Sequence, residues 1–441
     1  MRTLRLSLLS TLLFTIASLS LVAQDRAKQN WPQWRGPLGT GAAPAANPPL
    51  EWSEIKNVRW RMNLPGMGHS TPIVWQDKIF LTTAIPFGPA LKPRFSGAPG
   101  AHDNLPVSSR HKFVALAVDR DNGELLWQQV LKEALPHEGG HNTASLASQS
   151  PVTDGTLLFA SFGSQGIYCL DLEGTLIWKV DLGRMQTKHG HGEGSSPVLS
   201  GNTLVVNWDH EGDSFVVALD KSNGRERWRI KRDEVTSWAT PITVKHGKQT
   251  QLIVSGTSRI RSYDLQTGKS IWECGGLSAN IVCSPVAGHG MVFAGSSYEK
   301  QAMMAIRLEG ANGDITGSDL IRWSRFRGTP YVPSSLLYKE SLYFLRHYQG
   351  ILTRIEAVSG EEKQGPFRLG GIRNVYASPV AADNRVYITD LDGTTMVLSH
   401  EDQPRILAMN QLNDSFSASA AIVDSEIILR GQRKLYSISE Q

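Results

Sequence analysis

One pattern, repeated along the chain, limits what this sequence can fold into. It is clearest over residues 194–228, GSSPVLSGNTLVVNWDHEGDSFVVALDKSNGRERW. Ser196-Pro197 opens a short apolar run, Val198-Leu199, and Gly201-Asn202 turns the chain into a second run at 204–206. After an irregular stretch at 207–213, a third run at 215–219 reaches the turn Asp220-Lys221-Ser222-Asn223-Gly224, and a fourth ends on Trp228. Short apolar runs separated by turn residues predict four antiparallel strands in one sheet. Gly224 supplies the positive φ of a bulged hairpin, and Asp220 is placed to hydrogen-bond the turn backbone.

The opening anchor of this unit appears as Ser70-Thr71-Pro72, Ser150-Pro151, Ser196-Pro197, Thr240-Pro241, Ser284-Pro285, Ser334-Ser335, Ser378-Pro379 and Ser419-Ala420. Its closing turn and tryptophan appear at Asp119, Gly123 and Trp127, at Asp171, Gly174 and Trp178, and at Asp264, Gly268 and Trp272, while Trp323 closes a longer version. A spacing of roughly 40–50 residues is that of four strands per blade. The fold expected is therefore all-β, an eight-bladed propeller of four-stranded antiparallel blades. A solenoid fits less well, because single antiparallel sheets need radial closure or caps to protect their edges.

The start of the chain differs from the rest. Residues 1–23 combine a basic beginning, Arg2 and Arg5, with the uncharged apolar stretch 6–22, which predicts a secretory signal cleaved after Ala23. That run is short and broken by Ser and Thr, so no transmembrane segment is expected after cleavage. No cysteine follows it to carry a thioether-linked lipid. The protein is expected to be exported, periplasmic or extracellular. Its formal charge of +4 includes Arg2 and Arg5, which leaves too little positive charge to imply a nucleic-acid partner. Cys169, Cys274 and Cys283 make no metal or haem-attachment framework; buried thiols are the ordinary reading, and a Cys274–Cys283 pair stays open.

Residues 24–51 read as an extended arm and 52–441 as the propeller. The run Trp31-Pro32-Gln33-Trp34-Arg35-Gly36-Pro37 cannot form a regular element, since proline removes donors and fixes φ. An arm over the surface, pinned by its two tryptophans, is expected. Beyond it, Val58-Arg59-Trp60-Arg61-Met62 is patterned like the fourth strand of a blade, with Trp60 in the closing place. The eighth unit ends on a third strand at 435–438, so the N-terminal strand is expected to complete the last blade.

Strand parity then separates two rims. Tight turns such as Gly201-Asn202 and Asp154-Gly155 fall on one. The other takes the long insertion 85–110, the connections 131–149 and 183–194, and most of the histidines. Long polar loops on a rigid scaffold are where binding sites sit. On that rim Trp208, Asp209, His210 and Glu211, with His189 and His191, offer imidazole and carboxylate groups. Residues of this kind also tie loops together, and no metal site is expected. His69, Trp238, Tyr331 and Tyr376 precede the anchors and so ring the axial mouth, where they suit a small ligand or peptide end, or simply plug the channel. The five closing tryptophans, 127, 178, 228, 272 and 323, are expected to pack between blades. No nucleophile motif stands out, and no catalytic residue is assigned.

The repeat Ser-x-Pro, Ala-x-Asp, Thr-Gly-x-x-x-Trp, best kept at 196–228 and 240–272, resembles the pyrroloquinoline-quinone (PQQ)-like repeat. With the arm and Leu64-Pro65-Gly66-Met67-Gly68-His69-Ser70-Thr71-Pro72, the chain resembles exported bacterial members of that family. The resemblance points two ways. Quinoprotein alcohol dehydrogenases bind PQQ and calcium on the axis and stack the quinone on adjacent cysteines, which this chain lacks. The other branch resembles the non-catalytic propeller of the outer-membrane β-barrel assembly machinery, a lipoprotein that binds its partner through loops. The function expected is an exported binding or scaffold module without a cofactor, for an envelope protein or a small-molecule ligand at the axial mouth. A PQQ-dependent dehydrogenase, with PQQ and calcium, is the alternative.

Overall fold

The computed structural model describes residues 29–440; the expected signal, residues 1–23, lies outside them. The repeated unit folds as its pattern requires. In the third blade Val198–Ser200, Thr203–Trp208, Phe215–Asp220 and Glu226–Lys231 pair in chain order. The second strand is buried throughout, whereas the outermost turns only Trp228 fully inward. The register slips between Ala218 and Leu219, and Gly224 sits at φ 71° with its N–H 2.8 Å from the Asp220 carbonyl. This is the bulged hairpin expected from the turn residues. The same slip occurs at Ala117/Val118, Cys169/Leu170, Ser262/Tyr263, Ala305/Ile306 and Val397/Leu398.

Eight such sheets close into a ring. Their innermost strands touch in cyclic order, from Ile73–Trp75 through Val152–Thr153 and onward to Ala421–Val423, which returns to Ile73–Trp75. The eighth sheet takes Val58–Asn63 as its outer strand, antiparallel to Lys434–Ser439 with Arg61 opposite Tyr436. The N-terminal strand thus closes the last blade. Two additions depart from four strands per sheet. Gly313–Asp314 lies parallel to Ser270–Gly275 on the fourth blade's outer edge, and Asn104–Leu105 pairs with Gly140–His141. That small ribbon ties the first blade's long insertion to the connection entering the second.

The arm departs from the expectation of a surface strap. Residues 31–43 enter the central channel from the rim of tight turns, and Trp31 is fully buried. The cause is an accounting of backbone groups: innermost strands leave one edge unpaired toward the channel, and the arm supplies partners for it. Trp31 bridges Val74, Ala42 bridges Ala381, and the Leu337 N–H donates to the Thr40 carbonyl at 3.2 Å. The buried Arg35 guanidinium donates to the carbonyls of Ser335 (2.9 Å) and Pro379 (2.8 Å), linking the sixth and seventh blades. All three cysteines are buried and free, so Cys274 and Cys283 are not paired.

Candidate functional site

The opening anchors of the blades converge on the axis, where their side chains form a belt. The backbone N–H of Thr71 donates to Ser150 Oγ (2.9 Å), that of Ser150 to Ser196 Oγ (3.0 Å), and that of Ser196 to Thr240 Oγ1 (3.0 Å). The series continues through Ser284, Ser334 and Ser378 to Ser419. A hydroxyl therefore stands at each anchor because it joins one blade to the next. The series stops between the eighth and first blades, where Arg430 intrudes and donates to the Thr82 carbonyl at 2.8 Å and to Ser70 Oγ.

Above the belt lies a cavity of about 530 Å³, with Trp34 of the arm among its lining residues. Two arcs of side chains form its walls. Blades five to seven contribute aromatic rings: Tyr298 stacks on Tyr331 at 5.9 Å between centroids, and Tyr348 on Tyr376 at 5.5 Å. His347 bridges these pairs, 5.0 Å from Tyr331 and 6.1 Å from Tyr348. Opposite them, the long insertion and the next two connections bring imidazoles together. His191 lies 4.7 Å from His102, 4.8 Å from His141 and 5.3 Å from His189. His102 and His189 donate Nδ1–H to the Gly100 and Pro99 carbonyls at 2.8 and 3.0 Å, which fixes their tautomers. Trp238 completes this arc and donates its indole N–H to the Gly192 carbonyl at 2.7 Å.

The cavity lining contains neither lysine nor arginine, and its carboxylates are Asp103 and Glu193. Burial, then the neighbouring His141, His102 and His189, push His191 down to about 4. Burial, with Arg430 as a second cause, does the same to His69, also to about 4. Burial lowers His141 and His347 as well. Glu193 moves up to about 7 because burial outweighs the hydrogen bonds it accepts from Ser164. The mouth is thus a recess in which burial disfavours the charged form of His69, His141, His191 and His347, and no lysine or arginine supplies a fixed cation. Among the described residues no group of three His, Cys, Asp or Glu side chains is arranged to hold a metal ion.

Of the residues expected from sequence, His69, His191, Trp238, Tyr331 and Tyr376 line this cavity together. His189 touches the imidazole arc but lines an adjoining cavity of about 700 Å³, as does Glu211. Trp208, Asp209 and His210 lie apart, buried in the third blade. Asp209 accepts from Arg232 Nε (2.8 Å) and Ser237 Oγ (2.7 Å), both on the following connection. Glu211 accepts from Thr236 Oγ1 at 2.8 Å, and His210 Nδ1 accepts from the Gly212 N–H at 3.1 Å. Sequence reasoning overlooked Tyr298 and Tyr348. Their signal was a single aromatic residue in a short link between the second and third strands of a blade.

Residues 111–366 match the family model described as outer membrane protein assembly factor BamB. No curated protein matches the chain. Among solved structures, BamB from Moraxella catarrhalis is similar at 13% identity, over 81% of this chain and 99% of that one, with a TM-score of 0.52. A europium-containing methanol dehydrogenase aligns at 9% identity over 95% of this chain and 100% of its own, with a TM-score of 0.62. A quinohemoprotein alcohol dehydrogenase from Pseudomonas putida HK5 aligns at 11% identity over 95% and 81%, with a TM-score of 0.55. Similarities this distant establish a shared fold. The donor set at the mouth does not fit PQQ with calcium: no ammonium or guanidinium in the lining meets the quinone's carboxylates, and among the described residues no acidic set converges for the ion.

Proposed function

This chain belongs to the PQQ-like propeller family of outer membrane protein assembly factor BamB, and from that premise we propose that it is a non-catalytic binding or scaffold module of the cell envelope. The working surface is the axial mouth, which takes a protein segment or small ligand. The observation that carries this reading is the cavity of about 530 Å³ into which five of the expected residues project from separate connections. A recess with aromatic walls and convergent polar groups can desolvate a ligand and still orient it. The apolar stretch 6–22 supports export. Among the described residues no helix is long and apolar enough to cross a membrane.

Two measurements test the proposal. Titration with PQQ and calcium, followed by absorbance and alcohol-dependent dye reduction, is expected to give no saturable signal; a saturable signal with turnover promotes the dehydrogenase reading. Capture of envelope components by the immobilised chain is expected to weaken in Tyr348→Ala and Trp238→Ala, whose melting temperatures stay near the parent's. Capture that ignores both changes removes the mouth from consideration.

A further inference from the structure

We propose that the axial mouth binds an uncharged saccharide, an inference that rests on the mouth being the working surface. Three features of the cavity narrow the ligand class. The first is the belt at its base. Each of Ser150, Ser196, Thr240, Ser284, Ser378 and Ser419 accepts an amide N–H from the preceding blade. An accepted bond uses a lone pair and leaves the hydroxyl hydrogen, which among the described residues has no acceptor in any of the six. These hydroxyls line the cavity, so its base offers a ring of donors.

The second feature is the aromatic arc. Tyr298 and Tyr348 are 45% and 38% exposed, although each stacks on a neighbour. Such rings present apolar faces and edges beside hydroxyls, which suits a ligand carrying C–H faces and polar rims together. The third feature is charge. No lysine or arginine meets the cavity, while Asp103 and Glu193 do, so an anionic ligand would meet carboxylates without a cation to offset them. An amine would find the aromatic arc and the carboxylates but face the donors of the belt. A sugar ring satisfies all three at once. Its oxygens accept from the belt, its hydroxyls donate to Asp103 and the imidazoles, and its C–H face lies on the aromatic arc. Three polar atoms of cavity-lining residues have no partner among the described residues: Thr71 Oγ1, His191 Nε2 and Asn280 Oδ1. A sugar hydroxyl, which both donates and accepts, matches the chemistry of all three.

The experiment is calorimetry and saturation-transfer NMR on the full chain at pH 7.5. The probes are maltotetraose, cellotetraose and chitotetraose as neutral saccharides, trigalacturonate as an anion and spermidine as a cation. At least one neutral probe is expected to bind, with its ring C–H protons receiving the strongest transfer. Tyr348→Ala and Trp238→Ala are each expected to weaken that binding tenfold or more, while Trp238→Phe retains most of it and circular dichroism is unchanged. Binding only of trigalacturonate or spermidine overturns the proposal, as does no binding of any probe. Neutral binding that ignores both alanine changes overturns it too, because the site is then elsewhere. If no neutral probe binds but envelope capture still depends on Tyr348 and Trp238, the saccharide assignment falls and the mouth remains the working surface. If capture is also indifferent to them, both readings fail.

Discussion

The indole of Trp178 donates its N–H to the Lys221 carbonyl at 2.8 Å, and a Cβ on Gly224 would come within 2.7 Å of the same ring. The two residues belong to neighbouring blades. Trp60 stands in this relation to Gly123, Trp127 to Gly174, Trp228 to Gly268 and Trp323 to Gly360. Each closing tryptophan therefore fits beneath a turn that only glycine can make so close. Trp272 is the exception. It bonds Gln251 in its own blade at 2.9 Å, because the next blade replaces the tight turn with the longer link carrying Gly313–Asp314.

That relationship makes a paired prediction. Gly201 has φ 57° with open space around it, whereas Gly224 has φ 71° and the indole against it. Gly201→Ala is expected to cost about 1–2 kcal/mol for the left-handed backbone alone. Gly224→Ala adds a steric cost of about 1–3 kcal/mol. Urea unfolding of the two variants checks the ordering, and equal losses would mean that the ring yields freely.

Asp209 is predicted to matter for folding and not for the mouth. Its carboxylate and the Arg232 guanidinium are both essentially inaccessible. If Asp209 is removed, Arg232 keeps the Tyr263 hydroxyl at 2.7 Å and, as its charged partner, only Glu234, 3.7 Å away. Leaving one member of a buried pair typically costs about 3–5 kcal/mol, so Asp209→Ala is expected near the lower figure. Chemical denaturation should register that loss, while capture by the folded fraction stays at the parent level.

Arg430 seals the gap in the hydroxyl belt. It is buried, and burial lowers its pKa with no carboxylate to oppose the shift. Its bonds go to Ser70 and Thr82 on the first blade. Arg430→Ala is expected to strand the Ser70 carbonyl and to leave Ser70 Oγ and the Thr82 carbonyl only the long bonds between their own residues, 3.3 and 3.4 Å, at about 1–3 kcal/mol for each group stranded. Limited proteolysis should then cut the eighth blade and the arm before any other region.

Acid should destabilise the ring through the mouth. His69 and His191 have folded pKa values of about 4, below the ordinary 6.5. Their stabilising contribution is present above pH 6.5 and is lost as pH falls toward 4, because the unfolded chain binds the protons first. Glu193 acts in the opposite sense. Raised from 4.5 to about 7, it contributes stability below pH 4.5 and loses it as pH rises through 7. Two histidines against one glutamate leave stability rising with pH between 4.5 and 6.5. Melting temperature across that interval checks the sign, and His69→Gln should flatten the slope.

The blades were legible because their determinants are local. An Asp, a Gly and a Trp within nine residues specify a turn, its bulge and the ring beneath the next turn, and they repeat. The arm was not legible, since a proline-rich stretch has no period and its partners are remote: Arg35 meets residues 300 and 344 positions away. For the same reason Trp208, Asp209 and His210 resembled a ligand set. Their charge is answered by Arg232 from the next connection, which parity alone does not bring into contact. Four mouth residues, His69, Trp238, Tyr331 and Tyr376, were legible because position before an anchor dictates which rim they occupy, and His191 because it lies on a long connection of that rim. Tyr298 and Tyr348 were not, lying in links too short to stand out as loops.

Closure by Val58–Asn63 on Lys434–Ser439 imposes an order in time. Arg430 meets Ser70 across 360 positions of chain, and the arm's contacts with the seventh blade span similar distances. Contacts of such length are the slowest to form, since a loop must close before it is rewarded. During synthesis the segment at 58–63 emerges hundreds of residues before its partner strand exists. Until then it is an unpaired edge bearing an uncovered Trp60, open to association with another chain. A nascent chain of this design therefore needs its early strand kept solvated or shielded until the last blade arrives, and refolding from denaturant should show a slow, concentration-sensitive phase that Trp60 fluorescence reports.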